Sequence, residues 1–562
     1  MGDNVIKDAI KEVGLVLLGI DVGGTYTDGA LIGEGRIIRT VKRPTEDNLL
    51  SVLTAVLDEL LSGMDPGALE RITFSTTLVT NLIAQGHLPK AAILLLPGPG
   101  VNPSSFSFPW PVHVAAGAID YRGREIVALE QEEVLKHLGQ MVAAGVQRVA
   151  VAGKFAVRNW AHELKVRDLA AQHYPELKLF LSHELCGQLN LPRRAATTAL
   201  TAVTQEAYQR FWEQVEAALE KRGIAAPAYV VKADGGALPL AQAKRHPVET
   251  IFSGPASSAL GALALGQAAS GSERLPGTEG SPLTAVVIDI GGTTTDLALI
   301  LNGQPLLASK GAALAWPGAP PGASQLFTHV RALAVRSLPR GGDSQVRREG
   351  EGLDLHIGPE RLGPAACLGG PAPTLTDALR YLGEASIGDR DRAKAALGRL
   401  MPDSGTTPAD GDAGEAAGLG RLAQAVVEQF VFDLASAVEA MFQAWREEPA
   451  YRVWEIMQGR TARPDLIIGI GAAAAAIAPR LARKLGCRHW LPPYYQSANA
   501  VGAALARPTL YLTWRADTEQ NRYQVAETGQ QGELEELGIS SGTRLTPEQA
   551  EAVVQRLLIQ EA

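Results

Sequence analysis

Cysteine is scarce. The three in 562 residues, Cys186, Cys367 and Cys487, stand far apart with no CxxC pair, which argues against a disulfide framework and against a thiolate zinc site. No apolar stretch runs uninterrupted for the ~18 residues of a membrane-spanning helix, and the alanine run Ala472–Ala476 is too short and too weakly hydrophobic to span. The amino terminus lacks a secretory pattern, because mixed polar residues from Met1 to Glu12 precede an apolar run, Gly14–Ile20, that leads straight into Asp21. Ile6 stands where a myristoylation signal wants Ser or Thr. An excess of positive charge is missing too: 52 Lys and Arg against 60 Asp and Glu give a net charge of −8, which argues against an extended nucleic-acid partner. No GxSxG, HExxH or Walker A pattern occurs. The expectation is a soluble, cytoplasmic protein without nucleic-acid or membrane partners.

What is present is ordinary globular material. At 46% hydrophobic and 20% charged, the chain can fold throughout, and its length predicts roughly three to five domains or lobes. Gly14–Ile20 reads as a buried strand, with Gly29–Ile32 and Arg36–Val41 returning beside it. Leu49–Leu61, Gln131–Ala144, His162–Ala171 and Leu422–Trp445 carry helical spacing. Ile72–Asn81 reads as a strand followed by a polar turn, and Ala91–Leu96, Val149–Ala152 and Pro464–Ile470 as strands. Alternating strands and helices predict α/β layers. Ala268–Pro282, Gly341–Gly352 and Met401–Gly420 have the composition of surface insertions. Trp445 and Trp454 are expected in helix packing. Thr546-Pro547-Glu548-Gln549 carries the cap, proline and capping-box residue of a last helix.

The chain repeats its own beginning. Asp21-Val22-Gly23-Gly24-Thr25-Tyr26-Thr27-Asp28 matches Asp289-Ile290-Gly291-Gly292-Thr293-Thr294-Thr295-Asp296 at six of eight positions, and each octet lies between two apolar strands. Glycines let backbone N–H groups approach phosphate oxygens without a Cβ in the way. Threonine hydroxyls add donors, and an aspartate at a strand end can hold Mg²⁺ through water. One copy alone can be a tight hairpin with ordinary glycine preference; two matched copies in the same context weaken that reading. Two such turns facing each other would clamp a triphosphate between two lobes.

This pattern resembles the actin, hexokinase and heat-shock-chaperone superfamily and, within it, the hydantoinase/oxoprolinase A family. Ser75-Thr76-Thr77-Leu78-Val79-Thr80-Asn81, Ser182-His183-Glu184, Gly235-Gly236, Thr250–Ala256, Pro373–Ala378 and Pro492-Pro493-Tyr494 resemble that family's segments, in order, over roughly residues 14 to 507. The resemblance implies duplicated actin-like, ribonuclease H-like lobes with a nucleotide cleft between them. The expected divisions are residues 14–183 with the first phosphate loop, 184–507 with the second and the adenosine region, and a tail at 508–562. It implies ATP and Mg²⁺ as cofactors: Asp21 and Asp289 for metal and water positioning, Gly23, Gly24, Thr25, Gly291, Gly292, Thr293 and Thr294 for phosphate, and Gly469 and Gly471 beside the adenine. Asp28 and Asp296 can equally cap their own turns. His183 beside Glu184 can be an acid/base pair, although a lone turn histidine is more often structural; Cys186 carries no nucleophile signature.

Departures from the family pattern bear on the substrate. Arg193-Arg194-Ala195 precedes Thr197-Thr198 where an acidic residue is usual, Asp234 replaces an asparagine, and the glycine-rich stretch after the second loop reads Gly341-Gly342-Asp343-Ser344. The resemblance implies an ATP-dependent hydrolase subunit acting on a small cyclic amide, with ring opening completed by a separate B-type subunit, and it leaves homo-oligomers open. An ATP-driven activator of a partner enzyme and a small-molecule kinase stand as alternatives.

Overall fold

The computed structural model describes residues 16–45, 48–86, 88–268, 283–316, 325–349, 354–401, 411–448, 463–525, 530–540 and 545–561. Strands β1 (Val16–Val22), β2 (Tyr26–Gly33) and β3 (Arg36–Pro44) form an antiparallel meander. Strand β1 is apolar almost throughout because both faces are covered: Leu18, Ile20 and Val22 enter one core and Leu17 another. Helix α1 (Leu49–Leu60) starts at Asn48, whose side chain accepts from the Ser51 N–H, and buries Leu53, Val56, Leu57 and Leu60. Strand β4 (Leu69–Thr76) pairs parallel with β1. The polar turn expected at its end is instead helix α2 (Leu78–Gln85). The Thr76 hydroxyl accepts from the Leu78 N–H, and the Asn81 N–H bonds the Thr77 carbonyl, so these polar residues start a helix rather than end a strand.

The chain then builds β5 (Ala91–Leu96), β6 (Val112–Val114), α3 (Gln131–Ala143), β7 (Arg148–Gly153), α4 (Ala161–His173) and β8 (Lys178–Leu181). These strands make a separate parallel sheet in the order β8-β7-β5-β6, with its own core around Leu94, Leu138 and Val151. Helix α5 (Leu191–Glu220) leads back, and β9 (Ala228–Val231) and β10 (Ala237–Pro239) complete the first sheet in the order β10-β9-β4-β1-β2-β3. The first lobe therefore draws on residues beyond 183, and lobes do not follow sequence segments.

After α6 (Ser253–Ala268) come β11 (Thr284–Ile290), β12 (Thr295–Leu301), β13 (Val335–Leu338), α7 (Leu375–Tyr381), α8 (Gly411–Glu447), β14 (Leu466–Ile470), α9 (Ala474–Leu485) and β15 (Arg488–Trp490). Strand β11 pairs antiparallel with β12 and parallel with β14, as β1 does with β2 and β4. This is the duplicated α/β, actin-like fold. Helix α10 (Ala498–Leu505) returns to the first lobe and crosses α6 so closely that a Cβ at Gly261 would overlap the Ala498 carbonyl, and one at Gly502 the Ser257 carbonyl. The tail forms β16 (Trp514–Asp517), β17 (Arg522–Val525), β18 (Gln531–Glu533) and α11 (Pro547–Glu561). Thr546 and Gln549 make the reciprocal capping bonds, at 3.0 and 3.3 Å.

Two expected insertions are structured. Gly341 to Ser344 are buried against the second loop, and α8 begins inside Met401–Gly420, with Leu419 in the second lobe's core. Glycine and alanine there dilute the apolar pattern of a helix that is nonetheless amphipathic. Trp445 packs edge-on against Phe442 at 6.0 Å; Trp454 and residues 269–282 lie outside the described residues. Among the described residues no helix is long and apolar enough to cross a membrane.

Candidate functional site

Both octets close in the same way. The Gly23 N–H donates to the Tyr26 carbonyl at 3.1 Å, and the Gly291 N–H to the Thr294 carbonyl at 3.0 Å. Register then places Asp21 directly across from Asp28, and Asp289 across from Asp296. Like charges opposed across an antiparallel pair are destabilising, and here the arrangement occurs twice. The loops meet at their tips, with Thr25 Oγ1 2.9 Å from Thr293 Oγ1. One cleft is lined by both loops, by Asp21, Asp28, Asp289 and Asp296, and by Gly471 to Ala473 after β14. Gly469 is the exception among the expected residues: it lies within β14, and a Cβ there would meet Ala474, Ala478 and Leu491 rather than the cleft.

Residues distant in sequence complete the site. Lys42, across from Asp28 on β3, donates to both of its carboxylate oxygens at 2.7 and 2.8 Å. Asn499, at the start of α10, donates to Asp21 Oδ2 at 2.7 Å and to Asp28 Oδ2 at 3.3 Å. Ser258 on α6 donates to Asp289 Oδ2 at 2.5 Å. The Asp28 carboxylate is thus taken up by Lys42 and Asn499 rather than by its own turn, and backbone bonds close both hairpins. Gly341 to Asp343 buttress the second loop: the Gly342 N–H reaches the Gly291 carbonyl at 2.9 Å and the Asp343 N–H the Gly292 carbonyl at 2.7 Å. A Cβ at Gly341 would lie 2.5 Å from the Gly292 carbonyl oxygen, so this approach requires glycine. Helix α6 points its first residues, Gly254 and Pro255, at the same cleft.

The electrostatics follow from burial. Desolvation pushes the Asp21 and Asp296 carboxyls up to about 7, and it raises Asp289 and Asp28 as well, the latter despite Lys42. Asp21 Oδ1 and Asp296 Oδ1 are buried without a hydrogen-bonding partner. Both residues line the glycine-rich cleft, and a carboxylate with an unused acceptor oxygen is the kind of group that a cation shared with phosphates takes.

The histidine lies elsewhere. His183 Nδ1 sits 2.6 Å from Glu163, and the ring stacks on Trp160 at 5.1 Å, whereas Glu184 is half-exposed and pairs with Arg167 at 2.8 Å. The carboxylate partner of His183 is thus twenty residues back, not adjacent. Arg194 is buried on the same cluster, donating to the Ser182 hydroxyl at 3.1 Å and to the Gly153 carbonyl. Burial alone would raise Glu163, but His183 and then Arg194 outweigh it and hold the carboxyl below its usual value. None of these groups lines the cleft. Burial pushes the Cys186 thiol up to about 12, so it stays protonated near neutrality.

Comparison with known proteins agrees with this architecture. The hydantoinase/oxoprolinase family model matches residues 194–510, and the hydantoinase/oxoprolinase N-terminal region matches residues 17–103 and 110–174. Caprolactamase subunit alpha of Pseudomonas jessenii is 24% identical over 516 residues, covering 85% of this chain and 68% of that protein. A solved structure described as an ATP-dependent caprolactamase from Pseudomonas jessenii superposes with a TM-score of 0.62 at 21% identity, over 89% and 72% of the two chains. Acetophenone carboxylase gamma subunit of Aromatoleum aromaticum is 25% identical over 430 residues, covering 67% of this chain and 54% of that protein. A nucleotide-free acetone carboxylase structure, from work on ATP-dependent acetone carboxylation, has a TM-score of 0.68 at 20% identity, over 89% and 71% of the chains. This chain therefore spans about half to two thirds of the curated relatives' length.

Proposed function

This chain belongs to the hydantoinase/oxoprolinase family, and from that premise we propose that it is the ATP-dependent subunit of an enzyme that activates the carbonyl of a cyclic amide for ring opening. The observation that carries the proposal is the meeting of two loops of identical register, Thr25 to Thr293, over two opposed pairs of aspartates, of which Asp21 and Asp28 are buried and Asp289 and Asp296 partly so. Bound ATP supplies a phosphoryl group that turns a carbonyl oxygen into a leaving group. Backbone N–H groups of Gly24 and Gly292, with the hydroxyls of Thr25, Thr293 and Thr294, hold phosphate, while Gly23 and Gly291, whose own N–H groups close the hairpins, keep side chains out of its way, and the α6 N-terminus favours negative charge there. Asp21, with its unpaired oxygen, would hold Mg²⁺ together with Asp289, because that ion is usually met by one or two carboxylates plus phosphates. Gly471 to Ala473 face the nucleoside, with Gly469 shaping that strand from behind.

Because the loop tips touch, a triphosphate gripped by both requires the lobes to part, and the α6–α10 crossing is where they would rotate. Phosphoryl transfer asks the protein mainly for positioning and charge neutralisation, which these residues provide. The later attack on the carbon asks for a positioned base; Asp28 is held by Lys42 and Asn499, and Asp21 and Asp289 would be taken up by the cation. A separate subunit is therefore part of the proposal, and the subunit names of the relatives support it.

The test is direct. Mg-ATP at a hundredfold above its dissociation constant should stabilise the chain by about 2.7 kcal/mol, read as a thermal shift. Incubation of the chain with Mg-ATP and a panel of lactams, hydantoins and 5-oxoproline should give ring-opened product only when the partner subunit is added. No shift with Mg-ATP sinks the nucleotide reading, and abundant product from the chain alone sinks the two-subunit reading.

A further inference from the structure

The tail strands β16–β18 and helix α11 pack around their own small core, including Tyr523, Leu534 and Leu557. Between this unit and the parallel sheet of β5 to β8 lies a cavity of about 140 Å³ that shares no lining residue with the nucleotide cleft. Arg122 and Arg158 line it from the sheet side, Arg515 and Arg522 from the tail, and the sole acid in its lining is Asp517.

The charges there are poorly matched. Arg515 reaches Asp517 at 3.5 Å, the outer limit of a hydrogen bond. Arg122 reaches Glu519 at 3.8 Å, with both side chains substantially exposed. Arg158 lies against the Phe155 ring at 5.8 Å and makes no ion pair among the described residues. Burial, and then the Arg158 charge itself, hold the Arg515 guanidinium below its usual value. Two guanidinium groups carried by separate units thus line one cavity with only the 3.5 Å contact from Arg515 to Asp517 to balance them, an arrangement that costs free energy unless an anion joins them.

We infer that this cavity binds a small oxyanion, a phosphate or carboxylate borne by a small molecule, between Arg158 and Arg515. The planar guanidinium fork matches both groups in two-point contacts, and the amides of Asn159, Gln524 and Gln531 add donors on the same walls. An anion held there ties the tail to the parallel sheet. Trp160 lines the cavity and stacks on His183, which Glu163 fixes beneath it, so occupancy also presses on the cluster that joins the parallel sheet to α5.

The experiment titrates the full chain calorimetrically with inorganic phosphate and, separately, with succinate, at constant ionic strength. Saturable binding is expected, weakened about tenfold or more in Arg158→Gln and in Arg515→Gln, with Mg-ATP binding unchanged in both. Binding of phosphate alone or of succinate alone identifies the headgroup, and either supports the site. Each variant is checked by its thermal midpoint; should Arg515→Gln loosen the tail, Arg158→Gln on the opposite wall decides. Wild-type affinity in a folded Arg158→Gln protein, or phosphate binding abolished by Thr293→Val instead, would place the anion in the nucleotide cleft and overturn the inference. Absence of saturable binding for both anions overturns it as well. Because the nucleotide reading is scored by Mg-ATP, the two can fail independently.

Discussion

The two glycine-rich loops share sequence, register and turn closure, yet they are dressed differently. In the first lobe Asp28 has a cation: Lys42 clamps both of its oxygens, and Asn499 bridges it to Asp21. In the second, no lysine or arginine among the described residues pairs with Asp289 or Asp296; Ser258 supports the former, and a backbone strap at Gly341 to Asp343 props the loop itself. Duplication preserved the loop geometry and the opposed aspartates, while each lobe found its own way to tolerate two opposed carboxylates. The lesson is that the octet specifies where charge is placed, and the surrounding chain specifies how it is balanced.

The sharpest way to break this comparison is to neutralise the leading aspartate of each copy. Asp21→Asn and Asp289→Asn should each lower ATPase activity by about a hundredfold or more, with the fold intact, because Asn preserves an acceptor oxygen for Asn499 or Ser258. Circular dichroism and a coupled phosphate-release assay check both halves of the statement. Wild-type turnover in either variant would reduce that aspartate to a structural element, and the copies would then differ in function as well as in dressing.

The duplication was legible in the sequence because an antiparallel hairpin couples residue order to register: Asp-x-Gly-Gly-Thr-x-Thr-Asp between apolar strands leaves one way to face the two aspartates. The strands and the terminal capping box were legible for the same local reason. The balancing groups were not. Lys42 sits on a strand edge with ordinary alternation, Asn499 comes from 478 residues beyond Asp21, and only tertiary packing joins them. Gly341 to Asp343 read as a surface insertion because glycine and charge usually mark one, whereas here glycine admits a backbone-to-backbone approach. The histidine shows the same limit: Glu184 is its neighbour in sequence, but a helical turn points the two side chains apart, and Glu163 arrives from α4.

A second break targets the balance itself. Lys42→Met strands a carboxylate that is 3% exposed and should destabilise the chain by about 2 kcal/mol at pH 8, less than for a wholly buried pair because Lys42 is partly exposed. The loss should shrink as pH falls, because burial already raises Asp28 and its protonation removes the stranded charge. The double variant Lys42→Met/Asp28→Asn should recover most of it, since the unpaired charge is gone. In the second lobe Ser258→Ala removes one hydrogen bond and should cost about 1 kcal/mol. Denaturant unfolding of the four proteins gives the contrast, and equal losses in the two lobes would erase it.

The finest distinction between the lobes lies in pH dependence. Asp21 in the first and Asp296 in the second both sit at about 7, held there chiefly by burial. A carboxyl whose folded pKa is raised keeps its proton longer in the native state than in the unfolded chain. The stability it contributes is therefore complete below the ordinary carboxylate range and is lost as pH rises through about 7. Without nucleotide, the thermal midpoint should fall between pH 5 and pH 8. Cation binding runs the other way: if Asp21 must be ionised to meet Mg²⁺, Mg-ATP affinity should rise by about tenfold per pH unit below 7 and level off above it. Asp21→Asn should flatten both the stability slope and the affinity slope. Asp296→Asn should flatten part of the stability slope and leave the affinity slope in place, because the proposed cation contact belongs to Asp21 and Asp289. Calorimetric titrations of Mg-ATP at pH 6, 7 and 8 separate these outcomes, and an affinity slope lost equally in both variants would assign Asp296 to the cation and make the two copies equivalent.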